Sequence, residues 1–395
     1  MMQSVDIVII GGGMVGLSAA LGCASLGYQV AVVDRATEPQ IASEQIANRV
    51  SAINAASQQW LEKLGCWSGI MAQRATPYRT MSVWQADQFG QLNMTANELG
   101  QQVLGHIIEN QVITSALFQQ AQQQDNLQLC YGAACSKLHL NEREAWLALE
   151  DGTMLGAQLI ICADGANSWG RKQANLPLTF RDYGHHAIVA TVKTDLPHEH
   201  CARQVFTQDG PLAFLPLHEP NLCSIVWSVP PERADELMAL PAERFNRKLT
   251  AALDSQLGLC DVADDRASIP LTMRYARQWL KHRLVLMGDA AHTIHPLAGQ
   301  GVNLGFADVI DFVAALEQAK ANHDEGLDLG DPQLWRGYER KRKTAAVEMI
   351  TAMEAIKQTF SELPLPVKGI IGVGMNLLNK ASPIKNALVK RAMGL

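Results

Sequence analysis

The sequence predicts an α/β fold. A parallel-sheet domain, assembled from separated stretches of chain, receives an inserted antiparallel β-sheet and is followed by a C-terminal helical segment. Three observations lead to this class. Residues 5–34 run strand, glycine-rich turn, helix, strand. Two later apolar runs, ending near Asp164 and Asp289, each stop at an adjacent glycine and aspartate. Between those junctions, residues 181–230 hold short strand-like runs separated by turns, without helical spacing.

The first element, VDIVII at 5–10, has the β-branched composition of a strand buried on both faces. Gly11, Gly13 and Gly16 follow in G-x-G-x-x-G spacing, and a helix is expected from Met14 to Leu26, with Gly27 as its stop. A second strand, Gln29–Val33, ends at Asp34. Each part has a physical task. Gly11 permits a tight turn, Gly13 lets backbone approach a pyrophosphate, and Gly16 lets helix and strand pack closely. The helix N-terminus offers free N–H groups to phosphate, and Asp34 can accept from ribose hydroxyls. The unit reads as a Rossmann-like dinucleotide site, and by itself it leaves NAD and FAD open.

The second junction is LIICADGANSWGR at 159–171, and the third is MGDAAHTIHPLAGQGVNLG at 287–305. In the third, a strand Leu284–Met287 ends at Gly288-Asp289, a loop is expected from His292 to Gly301, and Val302, Phe306, Val309, Ile310, Val313 and Leu316 recur at helical spacing. The inserted sheet is expected from HAIVATVK, RQVF, PLAFLPL and CSIVWSV, joined by residues 77–99. Phe206, Phe214, Leu215 and Trp227 are candidate pocket walls that could equally be plain core. The divisions expected are 1–76, 100–180 and 281–360 for the first domain, 77–99 and 181–280 for the second, and 361–395 for a helical tail. That tail follows ELPLP at 362–366 and carries Lys380, Lys385, Lys390 and Arg391, which suits either contact with a membrane surface or protein partner, or packing on the first domain.

Composition narrows the class. A chain of 395 residues that is 48% hydrophobic can bury a core for two or three domains. A net charge of −6 gives no global positive field, so nucleic acid is not an expected partner. Eight cysteines occur without a CxxC pair, which suits reduced thiols rather than a metal site. MMQSVD lacks a basic leader region and no apolar run reaches membrane-spanning length, so a cytoplasmic protein is expected, with peripheral contact to the inner membrane also open.

The three motifs, in this order and at these separations, resemble the FAD-dependent aromatic hydroxylases of the para-hydroxybenzoate hydroxylase fold. RVSAINAAS (49–57), LGHIIEN (104–110), PLTFRDYGHHAIVAT (177–191), LAFLPL (212–217) and LCSIVWS (222–228) resemble the ubiquinone-biosynthesis branch, most of all the 2-octaprenylphenol hydroxylases. The resemblance implies a Rossmann-like FAD-binding domain with an inserted antiparallel β-sheet substrate domain. It also implies NAD(P)H as reductant, O₂ as co-substrate, and ring hydroxylation of a prenylated phenol through a flavin C4a-hydroperoxide. It places Gly11, Gly13 and Gly16 at the FAD pyrophosphate, Asp34 at the adenosine ribose, and Arg49 on a loop reaching the cofactor. Asn110 falls where relatives often have Arg or Gln, Asp164 supports the cofactor indirectly, and Asp289 meets the ribityl and pyrophosphate region. Pro296, Gly299, Gln300, Gly301, Val302 and Asn303 would lie along the isoalloxazine edge, with His295, Pro296 and Gly299 nearest the chemistry. A helix starting near Gly301 would face its positive end to the reduced ring.

His292 and His295 could tie their loop or handle the phenol proton, and sequence leaves both roles open. His185 and His186, adjacent on a strand, point to opposite faces and cannot act as a joint ligand. Three other functional readings stay open: a sister ring hydroxylase acting at another carbon, an FAD oxidoreductase that inserts no oxygen, and a scaffold member of a quinone-biosynthesis assembly.

Overall fold

The structure is a computed structural model that describes residues 2–41, 46–86, 90–294, 301–322 and 326–357. The expected tail 361–395, like residues 295–300, lies outside the described residues. The VDIVII run forms the strand Met2–Ile10. Alternation sends Ile7 and Ile9 into one core cluster and Val8 and Ile10 into another, so both faces of the strand are covered. That double burial is why the run is uniformly apolar.

This strand sits inside an eight-stranded sheet. Its principal path runs Leu280–Lys281, Leu284–Leu286, Met154–Cys162, Met2–Ile10, Val30–Asp34, Leu127–Tyr131. Parallel register aligns the strand ends: Ile10 pairs with Val33 on one side and Cys162 on the other, and Cys162 pairs with Leu286. The residues just beyond these rows, Gly11, Asp34, Ala163 and Met287, therefore form one rim. The chain leaves Met2–Ile10 for the strand on one side and later returns on the other. This is the switch point where open α/β sheets form a crevice. The helix Met14–Ser25 descends from that rim and is buried nearly all round, between the sheet and the helices Asn110–Ala121 and Gly301–Asn322.

A second sheet has nine strands, with the path His292–Thr293, Ala267–Ala276, Leu178–Thr194, Leu222–Val229, Pro211–Pro216, Cys201–Phe206, Thr80–Gln85, Gln91–Thr95. Two details depart from expectation. Thr80–Gln85 pairs parallel to Cys201–Phe206, so the sheet is not wholly antiparallel. These strands are distant in sequence, and no tight hairpin dictates their direction. His292–Thr293, expected as loop, is a short strand antiparallel to Arg274–Tyr275, which joins the third motif to this sheet. One face of the sheet packs Ile188, Phe214, Ile225 and Trp227 against Phe245 and Leu249 of the helix Ala242–Ala252. A three-stranded sheet, Val50–Ile53, Gly105–Glu109 and Ala75–Tyr78, lies at the junction of these layers.

A buried ionic lock fastens the last two described helices to the rim. Asp308, fully buried on Gly301–Asn322, takes the Gly288 N–H at 3.0 Å and His292 Nε2 at 2.6 Å on one oxygen. Its other oxygen takes Arg342 Nε, from the helix Pro332–Lys357, at 2.6 Å. Burial alone would raise the Asp308 pKa, but His292 and Arg342 outweigh it and hold the carboxyl below its usual range. A depressed folded-state pKa means that this stabilisation is complete above the unfolded value and is lost as pH falls through the folded one.

Two predictions follow from these contacts. Asp308→Asn should lower unfolding free energy near neutral pH by about 3–5 kcal/mol, because it removes the carboxylate bonded to the buried Arg342 guanidinium. In denaturant titrations that deficit should narrow as pH drops below about 4, where the unfolded wild-type chain takes up a proton on this carboxyl while the folded one, held below its usual range, still resists it. Gly11 has φ of +106°, and a Cβ there would lie 2.5 Å from the Ala163 carbonyl oxygen. Gly11→Ala should therefore cost about 2–4 kcal/mol in the ligand-free protein. Gly13→Ala, whose Cβ would meet nothing within 4 Å among the described residues, should cost less, about 1 kcal/mol at most, the difference between Gly and Ala as the helix N-cap.

Candidate functional site

The three sequence motifs meet around the rim through contacts that need small residues. A Cβ on Gly11 would lie 2.8 Å from Asp164 Cα, and one on Gly16 would overlap the Gly11 carbonyl. Turn one is thus pressed against turn two. Val15, in the first helix, sits against the third motif: a Cβ on Gly288 would lie 3.2 Å from its methyl groups, and one on Gly305 would lie 2.7 Å away. Arg171, buried in motif two, closes the ring by donating from Nη1 to the Ala290 carbonyl at 2.7 Å and from Nη2 to the Ala166 carbonyl at 2.9 Å. Gly11, Asp164 and Asp289 therefore belong to one site.

Several groups at that site remain available to a ligand. Gly13 is exposed, with nothing near its missing side chain, at the start of the first helix. Asp34 accepts the Gly12 N–H at 2.6 Å and the Ala36 N–H at 2.8 Å, and each carboxylate oxygen keeps further acceptor capacity. Asp164 takes the Gly170 N–H at 3.0 Å on one oxygen, while its other oxygen is buried without a partner among the described residues. Asp289 is exposed to solvent, yet crowding by protein raises its pKa, with His292, Arg49 and Arg274 pulling it back and Asp308 adding to the rise. The two facts describe a recess: water reaches the carboxylate, but its surroundings disfavour its charge. Among the described residues none donates a hydrogen bond to that carboxylate.

Arg49 is exposed on the loop before Val50–Ile53, close enough to act on Asp289. Asn110 begins the helix Asn110–Ala121; its N–H donates to the Arg49 carbonyl at 2.9 Å, and its Oδ1 accepts Ser51 Oγ at 2.7 Å. Gly301 opens its helix with no described residue within 4 Å of where a Cβ would be, and Val302 is half-buried against the first core. Asn303 spends both ends of its amide on backbone, donating to the Ala52 carbonyl at 2.7 Å and accepting the Asn54 N–H at 3.1 Å. A dinucleotide with a polar ring system fits these features: an open glycine at a helix N-terminus, an acid at the end of the second strand, an unbonded carboxylate in a recess, and an uncrowded second helix start.

The expected His295, Pro296, Gly299 and Gln300 fall outside the described residues. His292 is buried, bonded to Asp308 and lying 5.0 Å from the Trp279 ring centroid. His185 Nδ1 pairs with the Tyr183 carbonyl and His186 Nδ1 with Ser268 Oγ, as separate contacts. Phe214 and Trp227 face the helices 231–252, while Leu215 and Phe206 lie in two smaller clusters. Arg274 was not singled out by sequence: it reaches Asn167 of motif two at 2.7 Å and also acts on Asp289. Tyr131 was missed as well; its hydroxyl donates to the Gly12 carbonyl at 2.7 Å. Nothing in the spacing around either residue signals a site, since both arrive from strands paired through distant register.

Comparison with known proteins agrees with this geometry. The family described as FAD binding domain matches residues 4–352. The 3-demethoxyubiquinol 3-hydroxylase of Escherichia coli K12 is 34% identical over 394 residues, covering 100% of this chain and 99% of its own. The ubiquinone hydroxylase UbiL of Rhodospirillum rubrum is 31% identical, covering 98% and 89%. The human ubiquinone biosynthesis monooxygenase COQ6 is 30% identical, covering 97% and 91%. Among solved structures, p-nitrophenol 4-monooxygenase PnpA from Pseudomonas putida DLL-E4 superposes with a TM-score of 0.79 at 17% identity, covering 98% of this chain and 97% of its own. That likeness carries the fold alone, the para-hydroxybenzoate hydroxylase architecture. With its motifs gathered at one rim and its family matched along nearly the whole length, the chain belongs to the FAD-binding-domain family and is an FAD-dependent monooxygenase.

Proposed function

We propose that this monooxygenase hydroxylates the aromatic ring of a polyprenylphenol in ubiquinone biosynthesis, with a 2-octaprenylphenol-like substrate. The observation that carries the reading is the convergence of Gly11, Asp164 and Asp289 on one rim, beside a recess whose carboxylate has no hydrogen-bond donor among the described residues. Ring hydroxylation of a ubiquinone precursor is supported by the full-length similarity to ubiquinone-pathway hydroxylases. Bound FAD, with NAD(P)H and O₂ as co-substrates, supplies the electrophilic oxygen for an electron-rich ring.

The chain's own residues bind, orient and shield. Gly11, Gly13 and Gly16 admit the pyrophosphate to the first helix N-terminus, where Asp34 meets the adenosine ribose. Asp289 holds cofactor hydroxyls, and Asp164 supports the cofactor from motif two, its unpaired oxygen lying on the same rim. Arg49 and the amide NH₂ of Asn110, whose oxygen is already bonded, approach the pyrophosphate from the neighbouring loop. Gly301, Val302 and Asn303 border the ring; on the same reading, His295, Pro296, Gly299 and Gln300 complete that border next to the substrate. The sheet face opposite Phe214 and Trp227 carries Ala187, Val226, Leu271 and Met273, and packs against Ile350 of the last described helix. It is the apolar surface we assign to the substrate side, where water must be excluded. The basic tail would bring the enzyme to a membrane surface or to a quinone-biosynthesis partner holding the lipid substrate.

A second reading has a specific observation behind it. The relative at 34% identity over the full length is named for hydroxylation of 3-demethoxyubiquinol, so a sister reaction at another ring carbon is the alternative. Removal of the gene followed by mass analysis of quinone precursors separates them. Accumulated 2-octaprenylphenol supports the first reading, whereas accumulated demethoxyubiquinol supports the second. Incubation under ¹⁸O₂ should place one labelled oxygen on the prenylphenol ring; NAD(P)H oxidation without label in the ring would contradict a hydroxylase.

Two substitutions examine the site itself. Asp289→Ala should weaken FAD binding about ten- to a hundredfold, the cost of losing hydrogen bonds to a charged group. The purified variant should lose its yellow colour, and full flavin occupancy would refute the role. Gly301→Val should fold normally, since its Cβ meets nothing within 4 Å among the described residues, yet turn over far more slowly. Wild-type turnover there would move the ring away from this helix.

A further inference from the structure

Glu109 ends the strand Gly105–Glu109 immediately before Asn110, and only 3% of it is exposed. A carboxylate so buried needs partners, and among the described residues it has three donors. Arg74 Nε meets one oxygen at 2.7 Å, Arg74 Nη2 meets the other at 3.0 Å, and the Ala47 N–H meets that second oxygen at 2.7 Å. The forked arginine fixes the plane of the carboxylate, and so fixes where Ala47 can sit. Two residues on, the Arg49 carbonyl accepts the Asn110 N–H, and Val50 pairs with Glu109 across the small sheet. On the other side, Asn48 donates to the Asp265 carbonyl at 2.9 Å, tying the same loop to the nine-stranded sheet. The Arg49 guanidinium has no hydrogen-bond partner among the described residues. Its position therefore depends on the backbone that carries it.

We propose that Glu109 is a positioning residue: through Arg74 and the Ala47 N–H it sets the Arg49 loop, and with it the point at which the arginine's charge meets the cofactor. This rests on the reading in which Arg49 contacts FAD. Glu109 touches no ligand itself.

A double-mutant cycle tests the coupling, with FAD affinity read by fluorescence titration of the FAD-free full-length chain. Arg49→Ala should weaken binding about tenfold, and Glu109→Gln should weaken it by a similar factor. The double variant should bind no more weakly than Arg49→Ala alone. Arg74→Lys keeps the charge but loses the fork, so it provides a milder second perturbation if Glu109→Gln does not fold. Its effect on FAD affinity should likewise vanish in the Arg49→Ala background. The melting temperature of the FAD-free protein should fall equally in both backgrounds, as a purely structural contribution would. If Arg49→Ala weakens FAD binding and the second substitution adds its full factor, the positioning role is overturned while the Arg49 contact stands. If Arg49→Ala leaves FAD affinity unchanged, the contact itself fails and the positioning role falls with it.

Discussion

The structure depends on how closely three turns can approach one another at the end of the parallel sheet. Gly11 lies against Ala163 and Asp164, and Val15 is wedged between Gly288 and Gly305. Any side chain at these glycines would hold the turns apart. The separation matters because the groups that would serve one ligand are spread over more than 270 residues of sequence, from Gly11 to Asp289. Only close backbone packing brings them to one rim. Arg171 then adds direction by bonding the Ala290 carbonyl from motif two.

Around this rim the protein separates two kinds of charge. Asp308 is fully buried and balanced by His292 and Arg342, so it acts as a fastener between helices and turn. Asp289, one residue beyond the glycine whose N–H Asp308 holds, is accessible and carries no such fastening. The same contrast separates Glu109, buried and paired, from Arg49, exposed and without a side-chain hydrogen bond among the described residues. Paired buried ions fix geometry, while neighbouring accessible ions are left for binding.

Much of this was legible in the sequence where local rules apply. The first helix and second strand stand within one residue of their expected bounds, and the first strand ends where expected but begins three residues earlier, because apolar runs and glycine breakers act over short distances. Asp34, Asp164 and Asp289 could be picked out as candidates because each lies at, or within three residues of, the end of a strand. Legibility failed where partners come from distant strands. His292–Thr293 was expected as loop, since only pairing with Arg274–Tyr275 makes it a strand. Arg274, Tyr131 and Glu109 went unnoticed for the same reason. Sequence also left His292 between two roles; in the structure it is buried and bonded to Asp308 at 2.6 Å.

The central claim, that three separated turns form one FAD cradle, is tested most directly by hydrogen–deuterium exchange of the full-length chain with and without FAD. Peptides covering residues 11–16, 164–171 and 288–294 should all become protected together when FAD is added, at the same ligand concentration. Protection confined to 11–16, with the peptides around Asp164 and Asp289 exchanging as in the FAD-free protein, would contradict it.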